Sequence, residues 1–320
     1  EQIAPGDFLP AALRAKMALQ QQQDDQAVAV LKAYVEGPDR RPPDQGQRLR
    51  LAGAWLEQSA RALDEEEQQP RVAKLKNQAE EMLRRYAKAH PGEELLLVRF
   101  LARQGRLEEA TEVASRAVEN AKPADIARMC AILPQGVAKS GQPVRPVEEV
   151  LKAALARYPQ SIPLLMVLAD VTTVEGRLDD TEASYRKVIE KDPRNVEALN
   201  NLAVLLALKQ TQVEEALAMI QRAIEMAGPD STLLDSRASV YLARHEPDKA
   251  LADLAAAIAD VPRPTRFFHR AQAYYQTGRK ELAAESLKEA HRRGLTPEHL
   301  HPLERPAYRR LQSELQSELE

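Results

Sequence analysis

The chain has 320 residues, and 45 basic against 48 acidic side chains leave a formal net charge of -3. That balance carries no electrostatic footprint for nucleic acid or for an anionic membrane surface. Aromatic residues make up only 4% of the chain, and its wealth of Ala, Leu, Glu, Gln, Lys and Arg favours helix over strand. Cys130 is the single cysteine, so an intrachain disulfide is excluded. A lone thiol suits a reducing compartment, which makes a cytoplasmic location the expectation and leaves a periplasmic or exported one open. No apolar run approaches the roughly 18–20 residues of a membrane span, so direct membrane insertion is not expected.

In chain order, Leu13, Met17, Ala27, Leu31 and Tyr34 are spaced as the inward faces of a first helical hairpin. The string "GPDRRPPDQG" at Gly37–Gly46 predicts the most mobile loop, because Pro and Gly make it a poor helix. A long helix with Trp55 is predicted near Gln45–Gln69, followed by a second near Arg71–His90. Pro91 opens a further unit, whose turn and second helix read "RQGRLEEATEVASRAV" at Arg103–Val118. In the next unit, about Ala124–Pro159, Pro134 and Gly136 interrupt the first helix, and a shortened or kinked helix is expected.

From Pro159 onward the pattern becomes periodic. Pro159 and Pro193 lie 34 residues apart and bracket two amphipathic helices split by "EGRLDD". Leu165, Leu168, Ala169 and Thr172 share one face of the first helix, and Thr181, Tyr185, Val188 and Ile189 share one face of the second. A small residue recurs in the first helices at Ala169, Ala203, Ala238 and Ala271, in steps of 34, 35 and 33. In the second helices the equivalent positions are Thr181, Ala216, Ala250 and Ala283, in steps of 35, 34 and 33. The chain closes with the connector "TPEHLHPLERP" and one amphipathic helix with Tyr308, Leu311, Leu315 and Leu319 on its apolar stripe.

This unit resembles the tetratricopeptide repeat, two antiparallel helices in 34 residues. "DPRNVEALNNLA" at Asp192–Ala203 is the most family-like string. Thr181 departs from the usual Ala, and one residue is inserted near Gln210–Gln212. The resemblance implies an all-α fold, a right-handed superhelical solenoid of antiparallel helix pairs with a C-terminal capping helix. One continuous solenoid is expected over 1–320: degenerate repeats at 8–160, four well-matched units at 161–297, and a connector with cap helix at 298–320. Eight hairpins and no sheet follow.

No phosphate-binding glycine loop, HExxH or GxSxG motif occurs. His291, His299 and His301 lack the further ligands a metal site needs, and Cys130 lies in the apolar stretch "MCAILP". Asp64–Glu67 and Glu314–Glu320 read as solvated acidic faces. No enzyme, cofactor or metal is therefore expected.

The resemblance implies that successive first helices line a concave groove that binds protein or peptide. Its candidate residues are Met166, Asp170 and Thr173, then Asn200, Asn201, Val204 and Leu208, then Asp235, Ser239 and Leu242, and finally Phe268, His269, Gln272 and Tyr275. Such a strip offers amides to a peptide backbone and aromatics to its side chains. The carboxylate clamp of the chaperone-binding members is not matched: Asn201 fits its middle position, but Met166, Asp170, Thr232 and Ser236 stand where cations or Asn would be. Two alternatives accompany the scaffold reading. The chain, which starts at Glu1 and not at Met, is then the repeat region of a larger multidomain or membrane-associated protein, or it is a self-associating module that forms a homodimer.

Overall fold

The computed structural model describes residues 8–37, 44–63, 68–140 and 145–319. Among them every regular element is helical, and helices pair in chain order, as the repeat predicts. The chain divides into two compact units, Glu1–Leu164 and Leu165–Glu320.

The first unit pairs α1 (Phe8–Gln20) with α2 (Asp24–Glu36), α3 (Gln45–Arg61) with α4 (Gln69–Ala89), α5 (Leu95–Arg103) with α6 (Leu107–Ala117), and α7 (Pro123–Ser140) with α8 (Arg145–Arg157). Ala27 and Leu31 are buried as expected, but the inward face of α1 differs from the sequence reading. Ala11, Ala12, Ala15 and Ala18 are buried, while Leu9, Leu13 and Met17 are 61%, 54% and 59% exposed. Small side chains let two helices approach closely, so the alanine stripe faces the core and the bulky stripe points to solvent.

Asp44 caps α3 by accepting from the Gln47 amide at 2.8 Å. This places Gly46 inside the helix, while positions 38–43 of the expected mobile loop lie outside the described residues. Positions 64–67 lie outside them too. The expected shortening at Pro134 does not occur, and α7 runs through it to Ser140. Proline removes one donor, yet the φ its ring fixes, about −65°, is helical. Gly92 is required where it stands: its φ is +98°, and a Cβ there would meet the Asn120 carbonyl oxygen at 2.8 Å.

The second unit holds α9 (Ile162–Val174), α10 (Leu178–Lys191), α11 (Val196–Leu208), α12 (Val213–Ala227), α13 (Ser231–Ala243), α14 (Pro247–Asp260), α15 (Pro264–Gln276) and α16 (Lys280–Arg292). Ala169, Ala203, Ala216, Ala238, Ala250, Ala271 and Ala283 are all fully buried. The odd position, Thr181, is buried too, and its hydroxyl meets the Thr172 hydroxyl at 2.8 Å. A hydrogen bond between two buried hydroxyls thus replaces the apolar contact of the other hairpins. The turn between paired helices uses a left-handed residue, Gly176 at φ +74° and Gly278 at φ +74°, with His245 at φ 57° in the same role. The inserted residue at the α11–α12 turn is absorbed by two such residues, Gln210 and Gln212, at φ 53° and 48°.

After α16 the connector forms a short 3-10 helix (Pro297–His299), and α17 (Arg305–Glu314) is followed by a turn at Leu315 and α18 (Gln316–Leu319). Tyr308, Leu311 and Leu315 are buried against Phe267, Phe268, Ala284 and Leu287. The stripe expected of a cap helix is therefore present up to Leu315, and the Leu319 side chain lies outside the described residues.

Two substitutions check this register by urea denaturation. Ala216→Leu should overpack the α11–α12 hairpin and cost about 1–3 kcal/mol. Leu13→Ala should stay within about 0.5 kcal/mol of the parent, because an exposed position has little packing to lose.

Candidate functional site

In the second unit, the first helices carry a cleft of about 450 Å³. Asp170 and Thr173 reach it from α9, Tyr185 from α10, Asn200, Asn201 and Val204 from α11, and Ser236 from α13. Asn195 starts α11 by capping the Ala198 amide at 2.9 Å, which sets the rotation that turns both Asn side chains this way. Asn200 donates to the Asn201 side-chain oxygen at 3.0 Å, and Asn201 donates to the Tyr185 hydroxyl at 3.4 Å. The Asn200 oxygen is buried and has no hydrogen-bond partner. The surrounding walls, with a smaller contribution from Glu197, push the Asp170 carboxyl up to about 6, although its own side chain stays open to solvent.

Beyond this cleft the face of the first helices is already taken. The segment after α16 folds back, and His301 borders the cleft. Leu303, Glu304 and Ala307 then lie against Ser239, Leu242 and Gln272 around a smaller hollow of about 150 Å³. The contact is anchored by His269 of α15. Its Nδ1 lies 2.6 Å from an Asp235 carboxylate oxygen and its Nε2 lies 2.7 Å from a Glu304 carboxylate oxygen. Burial pulls this imidazole down, but the two carboxylates outweigh it and hold the ring protonated, up to about 10. Burial works against the Glu304 charge as well, and His269 overcomes it, so that carboxyl titrates below its usual range.

The repeat geometry is matched by two family models, both described as tetratricopeptide repeat, over residues 184–218 and 236–294. The chain carries tetratricopeptide repeats. It is 28% identical over 130 residues to the DnaJ homolog subfamily C member 3 of Gallus gallus, a match that takes in 36% of this chain and 26% of that protein. It is 26% identical over 171 residues to a TPR repeat-containing protein of Pseudomonas aeruginosa, across 52% of this chain and 29% of the relative. The chain thus spans little more than a quarter of the length of the curated relatives it matches. Among solved structures, a tetratricopeptide repeat protein from Parabacteroides merdae superposes with a TM-score of 0.53 at 18% identity, covering 82% of this chain and 99% of that one. That likeness shows the fold, a helical solenoid.

Of the candidate groove residues in this repeat protein, Asp170, Asn200 and Asn201 come together in the larger cleft, while Ser239 and Gln272 border the smaller hollow. Met166 is half-buried on α9 and lines neither. Asp235 is committed to His269 and Arg266. Phe268 departs from its expected place: it is fully buried, edge-on to Tyr308 with ring centroids 5.6 Å apart. The cap helix, not a ligand, covers it. Phe267 is buried as well, and Tyr275 is half-buried against the same core. Two further histidines serve the connector: His299 Nδ1 accepts from the Thr296 amide at 3.2 Å, and His301 Nδ1 accepts from the Leu303 amide at 3.2 Å. Burial alone raises the Cys130 thiol to about 12, far from a reactive thiolate.

The His269 contact makes a pH-dependent contribution with a defined sign. An imidazole raised by folding stabilises fully below its unfolded value of 6.5, and that contribution is lost as pH rises toward about 10. The Glu304 share runs the other way, present above 4.5 and lost on acidification. Urea midpoints of the parent should therefore fall between pH 6.5 and about 10 by more than those of His269→Gln. Equal slopes would remove the contact from the account.

Proposed function

We propose that the chain is a non-catalytic scaffold that binds an extended protein or peptide segment along the first helices of its tetratricopeptide repeats. The observation that carries this reading is the Asn200–Asn201 pair. The Asn200 oxygen is a buried acceptor without a protein partner, on a residue that lines the cleft with Val204 and Tyr185. A peptide N–H satisfies such an acceptor, and the apolar wall accommodates a neighbouring side chain. The family's general use of this face supports the reading, although fold alone does not name a partner. The folded-back C-terminal segment limits the segment to the α9–α13 stretch.

A random dodecapeptide library selected against the full chain tests it. Binding of the selected peptides should weaken about tenfold in Asn200→Ala combined with Asn201→Ala, the loss of about one or two net hydrogen bonds. Selected peptides that bind the double variant as tightly as the parent would place recognition elsewhere.

A second reading, self-association, is favoured by the exposed Leu9, Leu13 and Met17 stripe on α1. Light scattering decides it: a dimer that Met17→Lys dissociates supports the reading, and a concentration-independent monomer ends it.

A further inference from the structure

The first unit has a cavity of its own, about 740 Å³, bordered by the first helices α3, α5 and α7. Four cations line it: Arg50 from α3, Arg99 from α5, Lys122 just ahead of α7, and Arg128 on α7. Only two carboxylates share the wall, and both are occupied. Glu93 accepts from the Tyr86 hydroxyl, and Asp125 pairs with Arg128 at 2.8 Å. Among the described residues Arg50, Arg99 and Lys122 have no acidic partner, and the Arg99 Nε is buried without a hydrogen-bond acceptor.

Several other arginines of the unit are paired. Arg71 pairs with Asp24 at 2.8 Å, Arg84 with Glu80 at 2.7 Å, Arg103 with Glu57 at 2.7 Å, and Arg106 with Glu80 at 2.6 Å. Of the guanidiniums that face the cavity, Arg128 alone has such a carboxylate among the described residues, and Arg50 and Arg99 do not. Like charges held together without a counter-charge repel, and a low-dielectric concave wall strengthens their field. Between the cations the wall is apolar, with Leu95, Leu96 and Ile132.

We infer that this cavity docks an acidic polypeptide segment, its carboxylates on Arg50, Arg99 and Lys122 and its apolar side chains against Leu95, Leu96 and Ile132. A guanidinium fork takes a carboxylate in two parallel hydrogen bonds, which gives the site direction as well as charge. The site is separate from the Asn200–Asn201 cleft and does not rest on it.

The test uses the full chain and a fluorescein-labelled, C-terminally amidated dodecapeptide of repeating Glu-Leu-Glu, read by anisotropy at low salt. The Gln-Leu-Gln peptide is the uncharged control. Saturable binding of the acidic peptide is expected, at least tenfold tighter than the control and falling steeply with added salt. Arg99→Glu and, separately, Arg50→Glu should each weaken it tenfold or more, with helical content unchanged by circular dichroism. Asn200→Ala combined with Asn201→Ala should leave it intact. Equal affinity for the two peptides, or retention of binding in both charge-reversed variants, overturns the inference. So does tighter binding of a labelled single-stranded oligonucleotide, which would make the cavity a phosphate-backbone site.

Discussion

Two helices can lie close together only where one of them has almost no side chain, and the fold of the second unit depends on that constraint. Ala203, Ala216, Ala238, Ala250, Ala271 and Ala283 are fully buried at recurring positions. Each fixes the rotation of its helix within a hairpin. Once the alanine side is turned inward, the rest of the helix has no freedom left. Asn200 and Asn201, three and two residues before Ala203, are carried to the face of the first helices together with Asp170 of the preceding repeat. The cleft is a consequence of the packing and not an independent feature. The Thr172–Thr181 pair shows how the constraint tolerates exception, since a hydrogen bond of 2.8 Å between two buried hydroxyls spans the extra atoms.

The far end of that face obeys a second influence. The segment that follows the α15–α16 hairpin covers core and groove side together. Tyr308, Leu311 and Leu315 bury Phe267 and Phe268, while Glu304 reaches His269 across the first-helix face. A buried imidazolium between two carboxylates serves both, and removing His269 would leave Glu304 buried without its cation, a loss of about 3–5 kcal/mol in comparable pairs. The repeats that look most open from their sequence are thereby partly closed, and the part of the face left open lies at α9, α11 and α13.

Much of this was legible in the sequence because alanine spacing and turn residues are local signals. The 34-residue step located the helix pairs, and "DPRNVEALNNLA" identified the repeat. What the sequence did not convey was which residues a distant segment would cover. Phe268 sits at a groove position of its own repeat, and only the return of α17 makes it core. The signal that could have revealed this was Leu300 and Leu303 within "TPEHLHPLERP", apolar residues in a stretch otherwise read as a polar connector. The α1 face was misjudged for a related reason: Leu13 and Met17 are the bulkier stripe, but Ala11, Ala15 and Ala18 are the side that a partner helix can approach. The basic cavity of the first unit escaped because Arg50, Arg99 and Arg128 fall at uneven steps of 49 and 29, where helices of unequal length break the period.

The central claim is that the alanine-set register leaves the α9–α11 cleft open while the C-terminal segment occupies the α13–α15 part of the same face. Thiol labelling measures this directly, since the one natural thiol, Cys130, is buried. Maleimide should react rapidly with Asp170→Cys and slowly with Ser239→Cys, and Glu304→Ala should accelerate only the second. Equal rates at both positions, unchanged by Glu304→Ala, would contradict the account.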